Sequence, residues 1–296
     1  LLSTLPLTFI TIVEKGSITK AADSLNLAKS AVSQNLKRLE QQLGVKLAAR
    51  TTRRLSLTPA GERYYKRCKE IIALSHLAST EMEDFGAQPA GTITITAPHA
   101  FIAPVLAPAM TQVIKQYPKL KPIVIADDRR LDLIAQGIDV SISVGHLPDS
   151  NFKARRVGIL RDILCVSPKL LTEKPTEEAA ILAWIQSLPY IAHSRESLMI
   201  KHEFVSEYAK KMIDLHFEPT FKSNTVEALA NFAREGAGVA LLPELAVAED
   251  LKSGRLVHLL PEYSLKPLPI YAVHVYDTLP PPSVLEVIKA IESKLR

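Results

Sequence analysis

Cysteine is nearly absent: the 296 residues hold two, Cys68 and Cys165, too few for a disulfide framework and without a metal-holding spacing. A reducing compartment fits that usage, and Cys165, inside an apolar run, reads as a small core residue. Long hydrophobic stretches are also missing. No run approaches the roughly eighteen apolar residues a membrane helix needs, so no membrane partner is expected. The first residues lack the basic-then-apolar layout of a secretory signal, which makes the cytoplasm the expected location. Catalytic signatures are absent too. There is no Walker loop, no GxSxG turn, no HExxH and no zinc-ligand spacing, and "GAGVALLP" (236–243) is too short for a dinucleotide fingerprint and lacks its ribose-binding acid. Neither an enzyme nor a cofactor or metal site is expected.

Acid is scarce in one region only. Residues 1–70 carry 13 Lys and Arg against 5 Asp and Glu, whereas the remainder carries 23 against 26. A basic head on a faintly acidic body suggests polyanion binding by the head and a separate task for the rest. A hydrophobic content of 47% and a mean hydropathy of +0.10 describe a soluble globular chain of about two domains.

Within the head, Phe9, Ile12 and Val13 share one helical face, and Gly16 ends that helix. Ser17 then caps a second helix that turns Ile18, Ala21, Ala22 and Leu25 inward, and Asn26 stops it. After a tight turn, Val32, Leu36, Leu39 and Leu43 recur at spacings of four, three and four as the stripe of a third helix. Its other face carries Ser30, Ser33, Gln34, Lys37 and Gln41, with Lys29 and Arg38 at the edges. Such side chains donate hydrogen bonds and do not repel phosphate. Two short helices and a tight turn with this face on the second describe a helix-turn-helix that enters a DNA major groove. "VKLAARTTRRLSLT" (45–58) reads as a two-stranded wing whose Arg50, Arg53 and Arg54 would straddle phosphates. Thr58 and Pro59 suit the cap and first turn of a long helix. On it Tyr64, Cys68, Ile71, Ser75, Ala78, Met82 and Phe85 alternate at four and three, a seam that seeks a partner helix.

From Thr92 onward, runs such as "TITIT", "KPIVIAD", "DVSISVG", "DILCVS" and "PIYAVHVY" alternate with helical stretches. This predicts an α/β module with largely parallel sheets.

The quoted segments have a wider likeness. "FITIVEKGSITKAADSLNLAKSAVSQNLKRLEQQLGVKL" and "RTTRRLSLTPAGERYY", followed by "GTITITAP", "DDRRLDLIAQGIDVSISVG" and "FAREGAGVALLPE", resemble the LysR-type transcriptional regulators over nearly the whole chain. The wording is nearest the subgroup with aromatic, aldehyde and virulence-related regulators. The resemblance implies an α+β multidomain chain: a winged helix-turn-helix (1–58), a linker helix that dimerises (59–86), a hinge (87–91) and an effector-binding module (92–296). That module would have the periplasmic-binding-protein type II fold, with subdomain one at 92–162 and 268–296 and subdomain two at 163–267. Double-stranded promoter DNA is the implied partner of the head, read by Lys29, Ser30, Ser33, Gln34, Lys37 and Arg38 and gripped by Arg50, Arg53 and Arg54. Tyr64, Cys68, Ile71, Ala78, Met82 and Phe85 would hold a homodimer or homotetramer, and RNA polymerase stays open as a further partner.

The implied cleft would bind a small-molecule effector, an organic acid or related metabolite. Its residues would be Thr96, Pro98, His99, Ala100 and Phe101, then Ser143, Val144 and Gly145, then His193, Ser194 and Arg195, and finally Asn224 and Thr225. Three positions depart from the family pattern. Ala28 replaces the Ser that would cap the third helix, Lys29 stands where Gln is common, and Ala100 removes a hydroxyl from the cleft. Redox-responsive or constitutive DNA binding is the main alternative, the former resting on Cys68 meeting its counterpart in a second copy. A solute-binding protein and a sequence-indifferent DNA-compacting protein are more distant ones.

Overall fold

The structure, a computed structural model, describes residues 3–50, 55–83, 88–147, 152–171, 175–206, 208, 210–276 and 280–295. The chain forms two compact units, residues 1–86 with 131–139, and residues 87–130 with 140–296. Among the described residues no helix is long and apolar enough to cross a membrane.

The first unit opens with α1 (Thr4–Lys15), α2 (Ile18–Leu25) and α3 (Lys29–Leu43). Gly16 ends α1 in the left-handed region (φ 67°), where a side chain would be strained. Ser17 accepts a hydrogen bond from the Lys20 N–H to start α2. The helices are held by one buried cluster of Phe9, Ile12, Ala21, Ala22, Val32, Leu36, Leu39 and Leu47, each large member of which contributes about 1.5–3 kcal/mol by leaving water. Leu43, placed on that stripe by its spacing, is instead 40% exposed, because it is the last residue of α3 and projects past the cluster. Ala28 precedes α3 with extended backbone and no side-chain cap.

The wing pairs β1 (Ala48–Arg50) with β2 (Leu55–Leu57) antiparallel. It is fastened to α3 by Glu40, a buried carboxylate that accepts hydrogen bonds from the Leu47 N–H (3.0 Å), the Ala48 N–H (3.3 Å) and Lys46 Nζ (2.7 Å). Burial pushes this carboxyl up, yet Lys46 and the two amides together outweigh it and hold its pKa below the usual glutamate value. Next comes α4 (Pro59–Glu83). Thr58 Oγ1 accepts from the Gly61 N–H (3.0 Å) and donates to the Lys46 carbonyl (2.6 Å), so one hydroxyl caps α4 and ties it to the wing. A Cβ on Gly61 would lie 2.0 Å from the Leu47 carbonyl oxygen, an approach only glycine permits. Tyr64 stacks at a tilt on Phe9, with ring centroids 5.8 Å apart.

The chain continues through β3 (Gly91–Ala97), α5 (Ala107–Gln116), β4 (Leu120–Ala126), α6 (Leu133–Gln136), β5 (Val140–Val144) and β6 (Lys153–Leu160). Then follow β7 (Asp162–Val166), α7 (Glu178–Ser187), β8 (Tyr190–His193), β9 (Ile200–Ser206), β10 (Lys211–Phe217) and β11 (Pro219–Ser223). The last elements are α8 (Val226–Arg234), β12 (Val239–Pro243), α9 (Glu244–Lys252), β13 (Val257–His258), β14 (Leu268–His274) and α10 (Pro282–Leu295). The short α6 groups with the first unit and packs on α4.

Two five-stranded sheets build the second unit, in the orders β4-β3-β5-β14-β6 and β11-β8-β12-β7-β13. The expectation of largely parallel sheets needs correction. β3 runs parallel to β4 and β5, and β8 to β11 and β12, but β14 is antiparallel to β5 and β6, and β7 to β12 and β13. The reason is that β6 runs straight on into β7 of the other sheet and β14 returns, without the crossover helix a parallel neighbour requires. Four strands also escaped the sequence reading, the two-residue β13 because it is too short to show a period. β6 holds Lys153, Arg155 and Arg156, and the β9–β10 hairpin holds Lys201, Glu203 and Asp214, so charged exposed faces hid the buried Val157, Phe204 and Leu215. Cys165 is fully buried between Ile191, Ala240 and Leu229, and burial pushes its thiol up to about 12.

Restoring the missing cap with Ala28→Ser should raise the stability of the head by about 1 kcal/mol in a denaturant titration. Glu40→Gln should lower it by about 1–2 kcal/mol at pH 7. Because the folded pKa of Glu40 is depressed, its contribution exists above the unfolded pKa and fades as pH falls through the folded one. The gap between wild type and Glu40→Gln should therefore close below the usual glutamate range, as followed by circular dichroism.

Candidate functional site

Two surfaces concentrate the residues singled out above, and each lies within one unit. On the head, Lys29, Ser30, Gln34, Lys37 and Arg38 are exposed along α3 and Ser33 is half-buried. Their shared face is set from behind by the buried stripe, while Asn35 anchors the helix by donating from Nδ2 to Thr8 Oγ1 at 3.2 Å. Glu40, the single acid of α3, is turned inward and neutralised by Lys46. The exposed face is therefore free of carboxylate. Ser33, Gln34 and Lys37 border a groove closed on its other side by Lys46 and Ala48 of the wing. Lys46 was not singled out from sequence, because nothing in the spacing tells that the wing folds back beside α3.

Of the wing arginines, Arg53 and Arg54 lie outside the described residues, as does the side chain of Arg50. On α4, Tyr64 and Cys68 are directed inward, the first packed on Phe9 and the second buried. Burial raises the Cys68 thiol, with a hydrogen bond to Tyr64 opposing it weakly. The exposed side of the helix is Ile71 (46%), Leu74 (58%) and Ala78. Phe85 and the side chain of Met82 lie outside the described residues.

In the second unit, a cavity of about 400 Å³ opens between the two sheets, within the size range of small-molecule pockets. Thr96, Pro98, Ala100, Phe101, Ser143, Val144, His193 and Arg195 line it. The other predicted residues do not. His99 is exposed, and its N–H (3.1 Å) and Nδ1 (3.3 Å) pair with Asp128. Gly145 gives its N–H to the Pro269 carbonyl, and Ser194 gives its N–H to the Ser223 carbonyl. Thr225 caps α8 by accepting from the Ala228 N–H (3.2 Å), and Asn224 is exposed beside it.

The sequence reading missed most of the charge in this cavity: Asp127, Asp128, Arg129 and Arg130 after β4, Asp162 at the start of β7 and Glu196 after β8. Some of it is internally satisfied. Arg129 grips Asp127 through Nε (3.1 Å) and Nη2 (2.8 Å), and these hydrogen bonds hold the Asp127 carboxyl down at about 2. Arg130 donates to the His146 carbonyl. Other groups are not. Burial first, then the neighbouring Glu196 carboxylate, push the Asp162 carboxyl up to about 6, against a weaker pull from Arg195. Among the described residues, no group within hydrogen-bond or ion-pair distance compensates it.

Opposite in sign stands the loop after β8. His193 Nδ1 accepts from the Arg195 N–H (3.1 Å) and from Arg195 Nε (3.2 Å), which places the ring proton on Nε2. Burial and the Arg195 charge lower the His193 pKa, so the ring is neutral. Its Nε2 is buried and makes no hydrogen bond within 3.5 Å among the described residues, although the Asn224 backbone is close enough to favour the charged ring weakly. Behind this loop, Glu196 accepts from the His193 N–H (2.7 Å) and from Tyr190 Oη (3.4 Å), which in turn pairs with His202 Nε2 (2.8 Å) of β9. Burial drives His202 down to about 4 and raises Glu196. Among the described residues no cluster of His, Cys, Asp and Glu could hold a metal ion.

Both units have counterparts among known proteins. Residues 7–62 match the model of the bacterial regulatory helix-turn-helix protein, lysR family, and residues 86–296 match the LysR substrate binding domain. The chain is 30% identical to the HTH-type transcriptional regulator PtxR of Pseudomonas aeruginosa, covering 97% of this chain and 91% of that one. It is 32% identical to the HTH-type transcriptional activator AaeR of Escherichia coli, covering 96% and 90%. The solved structure of CrgA, a LysR-type transcriptional regulator from Neisseria meningitidis, superposes with a TM-score of 0.59 at 28% identity over 100% of both chains.

An acid whose folded pKa is raised weakens the fold when it ionises. Stability should therefore fall as pH rises from the unfolded aspartate value through about 6. Asp162→Asn should raise the melting temperature at pH 7.5 by a few degrees, since about 1 kcal/mol moves a domain of this size by roughly 2–4 °C. The gain should vanish near pH 4, as read by scanning calorimetry.

Proposed function

Because the chain belongs to the LysR family of bacterial transcriptional regulators, we propose that it binds operator DNA through the head and answers to a small-molecule effector in the cleft. One observation carries this reading. The same chain holds a carboxylate-free donor face on α3 and, in a separate unit, a cavity with charge and a buried donor that find no partner among the described residues. The first suits a polyanion with readable base edges, and the second suits a small polar ligand.

On DNA, Ser30, Ser33, Gln34 and Lys37 meet base edges while Lys29, Arg38 and Lys46 meet phosphates, and the wing arginines Arg50, Arg53 and Arg54 add backbone contacts. Two copies pair through the exposed side of α4. That seam runs through Ile71, Leu74 and Ala78, and its sequence spacing continues to Met82 and Phe85. Tyr64 and Cys68 are better assigned to the head's own packing, and the depth of Cys68 weighs against a redox link between copies. Effector binding shifts the balance between assemblies by its differential affinity, typically about 1–3 kcal/mol.

Selection from a random duplex library, followed by fluorescence anisotropy, tests the reading. The selected site should be preferred over random DNA by about a thousandfold or more at fixed salt. Lys37→Ala should weaken binding to it by about 1–3 kcal/mol, and Arg54→Ala should reduce the salt slope by about one. Equal affinity for all duplexes would make the protein a sequence-indifferent DNA binder instead.

A further inference from the structure

The polar lining of the cleft is more specific than a site for an organic acid. A simple carboxylate would satisfy Arg195, whose Nε is spent on His193 while its Nη atoms have no partner among the described residues, and it would accept from His193 Nε2. It would leave Asp162 worse off, adding a third negative group beside Asp162 and Glu196. Those two carboxylates line the same cavity as Arg195 and His193. The other acids of the lining, Asp127 and Asp128, already have Arg129 and His99. Arg130 donates to the His146 carbonyl, and Glu196 already accepts from the His193 N–H and Tyr190 Oη. Among the described residues, that leaves Asp162 without a cation and the Arg195 Nη atoms and His193 Nε2 without an acceptor, which calls for a ligand with one cation and one anion on a body that suits the apolar walls of Phe101, Ile142, Leu229 and Leu241.

We propose that the effector is zwitterionic, an amino acid or a close relative. Its ammonium lies against the Asp162 and Glu196 carboxylates, and its carboxylate lies on the Arg195 guanidinium and the His193 Nε2–H. An ammonium fits the acidic side better than a metal ion, because among the described residues the two carboxylates are not joined by further His, Cys, Asp or Glu ligands at metal-binding range. The assignment rests on reading the cleft as the effector site.

It makes a prediction that an organic-acid site does not share. An ammonium needs Asp162 ionised, so affinity falls as pH drops through the Asp162 range near 6. A carboxylate ligand gains from a protonated Asp162, so its affinity rises over the same interval.

The experiment is calorimetric titration and thermal melting of the full chain. The probes are the proteinogenic amino acids, 4-aminobutyrate and 4-aminobenzoate, each beside its desamino acid and its decarboxylated amine. At least one amino acid is expected to bind at pH 7.5 and to lose about tenfold in affinity at pH 5, with the matched desamino acid and amine at least tenfold weaker. Asp162→Asn and Arg195→Ala should each abolish the binding, and circular dichroism of both variants verifies their folding. Desamino acids that bind as well as or better than the amino acids, or binding retained in Asp162→Asn, would overturn the zwitterion while leaving an effector site in place. A flat response to every probe would also overturn it. Whether the cleft senses anything is then read independently from Ser143→Trp, which fills the cavity and should alter the operator footprint if the cleft controls the head.

Discussion

The cleft depends on one pair of neighbouring strands. The chain leaves the first sheet at the end of β6 and comes back at the start of β14, and at that crossing Leu160 pairs with Leu268. Both residues line the cavity, and Asp162 follows two positions beyond. The two sheets are thus joined by adjacent extended segments, with no crossover helix between them. Such a joint can absorb small backbone rotations without breaking either core, as hinge segments do. A charge placed beside it feels every change in the gap. This also accounts for the antiparallel members of both sheets, since β7 and β14 are delivered by the crossing itself.

Within that frame the chain treats two desolvated carboxylates, one buried and one half-buried, in opposite ways. Asp250, 3% exposed, receives Nε and Nη2 of Arg234 at 2.8 and 2.6 Å and Nε of Arg255 at 2.9 Å, and its position between α8 and α9 is structural. Asp162 receives nothing comparable among the described residues, although leaving a desolvated carboxylate without a partner costs stability. A strongly shifted carboxyl at a cavity wall is a candidate functional group, since such shifts cluster at sites. The Glu196 side is braced instead. Tyr190 stacks on Phe217 with centroids 4.3 Å apart and reaches both Glu196 and His202, so the loop that carries His193 and Arg195 is held by the β9–β10 hairpin.

The head follows a third arrangement, in which a buried acid serves the basic surface. Glu40 ties α3 to the wing, and by turning inward it removes the one negative group that would face phosphate. Thr58 repeats the device at α4, and Gly61 lets that helix approach the Leu47 carbonyl. The starts of α1 and α3 both lack a side-chain cap, and at α3 the residue itself, Ala28, cannot supply one.

Sequence periodicity by itself determined the helical head, because buried stripes such as Val32, Leu36 and Leu39 repeat at a spacing that only one secondary structure satisfies. The same holds for Gly16, Ser17 and Asn26, whose local backbone and capping preferences act within a few residues. It also separated the two surfaces, since the basic excess is local and the α/β runs are not. What it could not determine was which charges meet. Asp127, Asp162, Arg195 and Glu196 are spread over about seventy positions, and nothing in their spacing shows that they share one cavity. Tertiary structure alone decided that Thr225 is consumed as a cap and that Asp162 is left without a partner among the described residues, because burial and pairing belong to neighbours in space.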